Sequence, residues 1–89
     1  MKYVMLYESA DDFRSTAPLH GPAHRARLAE FHTRGTLLMA GPMSDPENGD
    51  AIGIFTTREA AEEFVKDDPF VRHGVVRGWT IRAWDDAFS

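Results

Sequence analysis

The chain has 89 residues, with 14 acidic side chains against 10 Lys and Arg and a formal charge of −4. That length suits one domain, residues 1–89, burying about 60–65% of its unfolded surface, so a partner subunit is expected. The acidic balance gives nucleic acid no electrostatic footprint, and the absence of cysteine excludes disulfides, thiolate metal sites and a thiol nucleophile.

The chain starts MKYVMLYESADD. One lysine and five apolar residues before Glu8 are too few for a signal peptide, or for the ~20 residues of a membrane helix. No membrane partner and a cytoplasmic location are expected. Lys2–Tyr7 (KYVMLY) is short, aromatic and β-branched, which reads as a strand with two apolar faces. ESADDFRSTAPLHGP follows as a connector rich in turn residues.

Ala23–Arg34 reads as the first helix, with Pro22 in its first turn and Gly35 just past its end. On it His24, Leu28 and Phe31 fall within about 60° of one another. Thr36–Gly41 (TLLMAG) reads as a second strand and PMSDPENGD as a turn-rich loop. Ala51–Phe55 reads as a third strand. Thr56 and Glu59 have capping-box spacing, so a second helix is expected from Thr57 to about Asp67. Val75–Trp84 reads as the last strand, with Val75, Trp79, Ile81 and Ala83 on one face.

The order β-α-β-β-α-β is the ferredoxin-like α+β pattern, and right-handed crossovers leave few alternatives. Two helices cover one face of such a sheet. These strands are apolar on both faces, so a second sheet, in a homodimer, is expected to cover the other. The topology gathers Tyr7, His24, Gly41, Pro42, Asp68, Phe70 and His73 at one rim.

The stretch VKDDPFVRHG places two carboxylates at the end of the second helix, where the backbone dipole disfavours negative charge. Pro69 forces Asp68 out of the α region, so its side chain leaves the helix line and can turn toward the first helix. A carboxylate beside His24 would fix the imidazole tautomer and raise its basicity. Taken alone, each residue has a plainer reading. A histidine on an apolar stripe is usually a half-buried side chain with a backbone partner, and an Asp before Pro is a common turn starter.

The runs H-x-x-x-L-x-x-x-x-x-x-G-x-L-L-x-A-G-P, from His24 to Pro42, and A-x-x-F-x-x-x-DPF, from Ala61 to Phe70, resemble the YCII-related family over nearly the whole chain. The resemblance implies a dimeric α/β barrel of ferredoxin-like protomers, with a His–Asp pair in a cleft at His24 and Asp68. That arrangement is similar to muconolactone isomerase. Strings such as KYVMLY, RGTLLMAGP, IFTTREAAEEF and DPFVRHGVV resemble a branch that removes HCl from a chlorinated hydroxyhydroquinone. One position departs from the family: Arg25 stands where many relatives carry Leu.

Two functions follow as expectations. In the first, the protein is a small acid–base enzyme acting on a hydroxylated or chlorinated aromatic or quinol, by HCl elimination or a related proton transfer. His24 moves the proton and Asp68 orients it, without metal or organic cofactor. Tyr7, Phe70 and Trp79 are candidate walls for the ligand, and Gly41, Pro42 and His73 share the rim. Arg27 is a candidate partner for a phenolate or leaving anion, although a solvated surface charge is the more ordinary explanation of it. Ser44 and Asp45 lie in the rim loop, where turn chemistry accounts for them. In the second, the dimer binds a small ligand, or serves a regulator, without catalysis. A metal site at His20 and His24 is not expected, because Gly21-Pro22 breaks the helical register between them.

Overall fold

The computed structural model describes residues 1–88. Its elements are β1 (Lys2–Ser9), α1 (Phe13–Thr33), β2 (Leu37–Pro42), β3 (Ala51–Phe55), α2 (Arg58–Asp67), α3 (Pro69–Arg72) and β4 (Val76–Trp84). The strands form one sheet in the order β2-β3-β1-β4, and every neighbouring pair is antiparallel. This is the ferredoxin-like α+β arrangement. No helix among the described residues is long and apolar enough to cross a membrane.

The sheet register sorts the side chains. Tyr7 lies opposite Ala51 on one side and Trp79 on the other; Leu6 lies opposite Ile52 and Thr80. Because alternate residues face opposite ways, Met5 and Tyr7 point under the helices, and both are buried. They join Phe31, Leu37, Phe55, Phe64, Val65 and Val76 in the core. Phe31, Phe55 and Phe64 meet there with ring centroids 5.2–6.4 Å apart, inside the range where aromatic pairs add to simple burial. Val4, Leu6, Ile52 and Ile54 point to the opposite face.

Three elements differ from the sequence reading. The first helix begins ten residues earlier than Ala23, at Phe13, and runs straight through Pro18 and Pro22. Each proline removes one i→i−4 hydrogen bond, but both side chains are exposed, and contacts on the inner face hold the helix. Phe13 packs on Gly49, where an added methyl would come within 2.8 Å of its ring. Gly21 is buried, and His20 stacks on His73. The connector is therefore only the short turn after Ser9. The cap of α2 is Thr57, not Thr56. Its side chain accepts from Ala60 N–H at 3.1 Å, while Thr56 N–H is engaged by Thr36 O at 2.9 Å. Finally, Pro69–Arg72 forms a one-turn helix of its own.

Candidate functional site

Asp68 ends α2 with an extended backbone, φ −66° and ψ 125°, and caps α3. This is the conformation that the following proline requires. The two neighbouring acids thereby separate. Asp67 stays at the surface and pairs with Arg72 at 3.1 Å. Asp68 turns inward and is completely buried.

Three donors meet the Asp68 carboxylate. Tyr7 O–H donates to Oδ2 at 2.7 Å, His24 Nδ1 contacts Oδ1 at 2.7 Å, and Phe70 N–H donates to Oδ1 at 3.3 Å. A carboxylate can only accept, so in this contact a His24 proton sits on Nδ1, and in the neutral ring the lone pair is then on Nε2. A buried charge is tolerated when it is this well bonded. No buried side-chain polar atom among the described residues lacks a partner. Burial, and then the negative charge of Asp68, push the Tyr7 hydroxyl far above its ordinary range, so Tyr7 stays a donor.

The imidazole is itself held. Phe70 lies flat against it, with centroids 3.8 Å apart and planes 6° apart, and Phe64 meets it edge-on at 6.2 Å. The His24 side chain keeps 15% of its surface exposed. The result is a chain Tyr7–Asp68–His24 that leads from the core to the surface and ends in one free nitrogen. Such a unit can accept, hold and return a proton at Nε2.

The other candidates lie at graded distances from this unit. His73 is one turn away and stacks on His20, not on His24, with centroids 4.0 Å apart and planes 3° apart. Arg27 is neither a solvated charge nor an open anion site. Its Nε donates to Phe64 O at 3.1 Å and its Nη2 to Glu63 O at 2.7 Å, with its guanidinium over the Phe31 and Phe64 rings. It ties α1 to α2. Pro42 pairs with Ala51 on the row that leads to Tyr7, and Gly41 pairs with Ile52, so β3 separates both from Tyr7. Trp79 continues the Tyr7 row on the other side and is 47% exposed. No group of three or more metal-ligating side chains exists among the described residues.

Sequence reasoning missed two things here. Tyr7 was read only as a candidate wall, and the bond from its hydroxyl to Asp68 was not foreseen. The His20–His73 stack depends on α1 being continuous through Gly21-Pro22, which the sequence reading denied.

The YCII-related domain matches residues 1–85. The chain belongs to the YCII-related family. Among its relatives, the YciI proteins of Escherichia coli O6:H1 (strain CFT073) and of Shigella flexneri are each 31% identical over 98 aligned positions, covering 99% of this chain and 100% of the relative. Among solved structures of this fold is 5-chloro-2-hydroxyhydroquinone dehydrochlorinase (TftG) from Burkholderia phenoliruptrix AC1100, in complex with 2,5-dihydroxybenzoquinone. It superposes with a TM-score of 0.79 at 16% identity, covering 99% of this chain and 97% of the other. At that identity the likeness establishes the YCII-related fold and leaves the reaction to be argued from the site.

Proposed function

We propose that this YCII-related protein is a cofactor-independent acid–base enzyme acting on a hydroxylated, chlorine-bearing aromatic or quinol. The single observation that carries the reading is the 2.7 Å contact between His24 Nδ1 and the buried Asp68 carboxylate. It leaves Nε2 as a base whose orientation is fixed. A positioned group of this kind contributes roughly 10²–10⁴-fold to a proton-transfer step. The TftG neighbour, a dehydrochlorinase holding a dihydroxylated quinone, supports the choice of substrate class.

For a chlorinated quinol the chemistry balances as loss of one proton and one chloride. Nε2 takes a ring hydroxyl proton as that C–O becomes a carbonyl. The proton returns to the chlorine-bearing carbon. A second hydroxyl then releases its proton as the C–Cl bond breaks and chloride leaves with the bonding pair. Two hydroxyls become two carbonyls, and no external oxidant is needed. Asp68 stabilises the transient imidazolium, and Tyr7 holds Asp68.

The assembly belongs to the same proposal. Val4, Leu6, Ile52 and Ile54 line a hollow with Arg82 and Trp84 on the sheet face opposite the helices. Met39 is 67% exposed and Trp84 44%. A second copy packed sheet to sheet would cover this apolar face.

One observation favours a second reading. Phe70 covers the imidazole, which suits a protein that binds a small ligand without transforming it. Chloride release and quinone absorbance, followed over a panel of chlorinated and hydroxylated quinols, separate the two. The enzyme reading expects turnover by the native protein and a fall of ~10²–10⁴-fold in His24→Ala. Turnover unchanged in both His24→Ala and Asp68→Asn overturns the dyad. Ligand-induced thermal shifts without chemical change across the panel favour the binding module.

A further inference from the structure

A hollow beside α1 is lined by Phe13, Arg14, Pro18, Gly21, Arg25 and Phe70. In a chain of net charge −4 it contains two cations and no carboxylate. The neighbouring hollow shares Phe13 and Arg14 with it and adds Glu8, Asp11, Glu47, Asp50 and Arg77, so Arg25 is the cation that belongs to this hollow alone.

Both guanidinium groups are positioned by local packing. Arg14 lies over the Phe13 ring at 4.7 Å and donates through Nη2 to Glu47 O at 3.1 Å. Arg25 folds back over Gly21, and a methyl group added there would lie 2.9 Å from Nη1. Glycine at 21 thus makes room for the guanidinium beside the hollow. Arg25 donates to no carboxylate or carbonyl among the described residues. Its planar fork of donors therefore remains available for an anion.

Phe70 joins the hollow to the proton-moving unit. The same ring lines the hollow and lies flat on His24. We propose that the hollow binds the anionic substituent of an aromatic ligand, a carboxylate or a phenolate, with Arg14 and Arg25 taking the charge and Phe13 and Phe70 flanking the ring. The site does not rest on the acid–base reading above: a ligand there has the Phe70 ring between it and the imidazole.

Benzoate and its neutral analogue benzamide serve as probes, with binding followed by ¹H–¹⁵N NMR titration of the full chain. Benzoate is expected to shift Phe13, Arg14, Gly21, Arg25 and Phe70, and benzamide to bind far more weakly. Arg25→Leu should weaken benzoate by about tenfold, the usual scale for losing a charge-assisted hydrogen bond, while Arg25→Lys keeps part of the affinity. Arg25 is exposed, so the spectrum of the Leu variant should otherwise stay native. Benzamide binding as tightly as benzoate, or benzoate binding undiminished in both Arg25→Leu and Arg14→Gln, overturns the proposal. Turnover of the quinol panel reads the dyad and benzoate titration of the native protein reads the anion site, so either can fail without the other.

Discussion

The two faces of the sheet handle their contents differently. Under the helices, each buried side-chain polar atom among the described residues is bonded, and Tyr7, Asp68 and His24 form a chain inside an aromatic core. On the opposite face Val4, Leu6, Ile52 and Ile54 line an open hollow with Arg82, Ala83 and Trp84. The first face is a finished interior that carries one deliberate charge. The second is an apolar surface with no helix over it. The comparison teaches that one side of the sheet carries the bonded Tyr7–Asp68–His24 unit, and that the proposed assembly would use the other side.

Substitutions can test that division, and the largest stability effect is expected beneath the helices. Removing Asp68 leaves Tyr7 O–H and His24 Nδ1–H without their acceptor, so Asp68→Ala should destabilise the protein by about 3 kcal/mol. Asp67→Ala, one residue away but exposed, should stay within about 0.5 kcal/mol. Urea unfolding of both variants measures the contrast, and equal losses would break it.

Tyr7→Phe comes next, at about 1–3 kcal/mol near neutral pH, because Asp68 Oδ2 loses its donor in a buried site. Its pH dependence sharpens the point. The folded protein holds the Tyr7 hydroxyl above its unfolded range, so the folded state keeps a proton that the unfolded chain releases. The contribution is fully present below about pH 10, the unfolded value for tyrosine, and is lost as pH rises beyond it. The difference in unfolding free energy between native and Tyr7→Phe protein should therefore shrink on going from pH 9 to pH 11, both about one unit either side of that value.

On the open face, Ile52→Asp should leave the fold of the single chain intact and shift light-scattering mass from dimer toward monomer. A native protein that is monomeric at every concentration would break the assignment of this face to assembly. The smallest effect is expected on α1. Pro22→Ala restores one backbone donor on an exposed helix position and should stabilise the protein by about 1 kcal/mol, less than the full helix-interior penalty of proline.

Much of this was legible in the residues. The strand pattern, Gly35 and the βαββαβ order were enough for the architecture, and Pro69 was enough to turn Asp68 away from its helix toward His24. What escaped was long-range. Residues 8–22 read as a turn-rich connector, with Pro22 opening the helix, because local rules cannot register Phe13 seated on Gly49. The cap of α2 slipped by one residue because Thr56 and Thr57 have equal local claim, and only the bond from Thr56 N–H to Thr36 O decides it. Arg27 read as a solvent or ligand charge because its acceptors are two carbonyls on another helix. The Tyr7–Asp68 bond joins residues 61 positions apart, beyond any spacing rule.

The central claim is that Asp68 holds the proton of His24 on Nδ1 and leaves Nε2 as the working base. ¹⁵N NMR of selectively labelled histidine, compared between the native protein and Asp68→Ala, tests it directly. The account predicts a native His24 ring with its proton on Nδ1 and its lone pair on Nε2, and loss of that tautomer preference in the variant. A native ring with its lone pair on Nδ1, or a His24 spectrum unchanged by removal of the carboxylate, would contradict it.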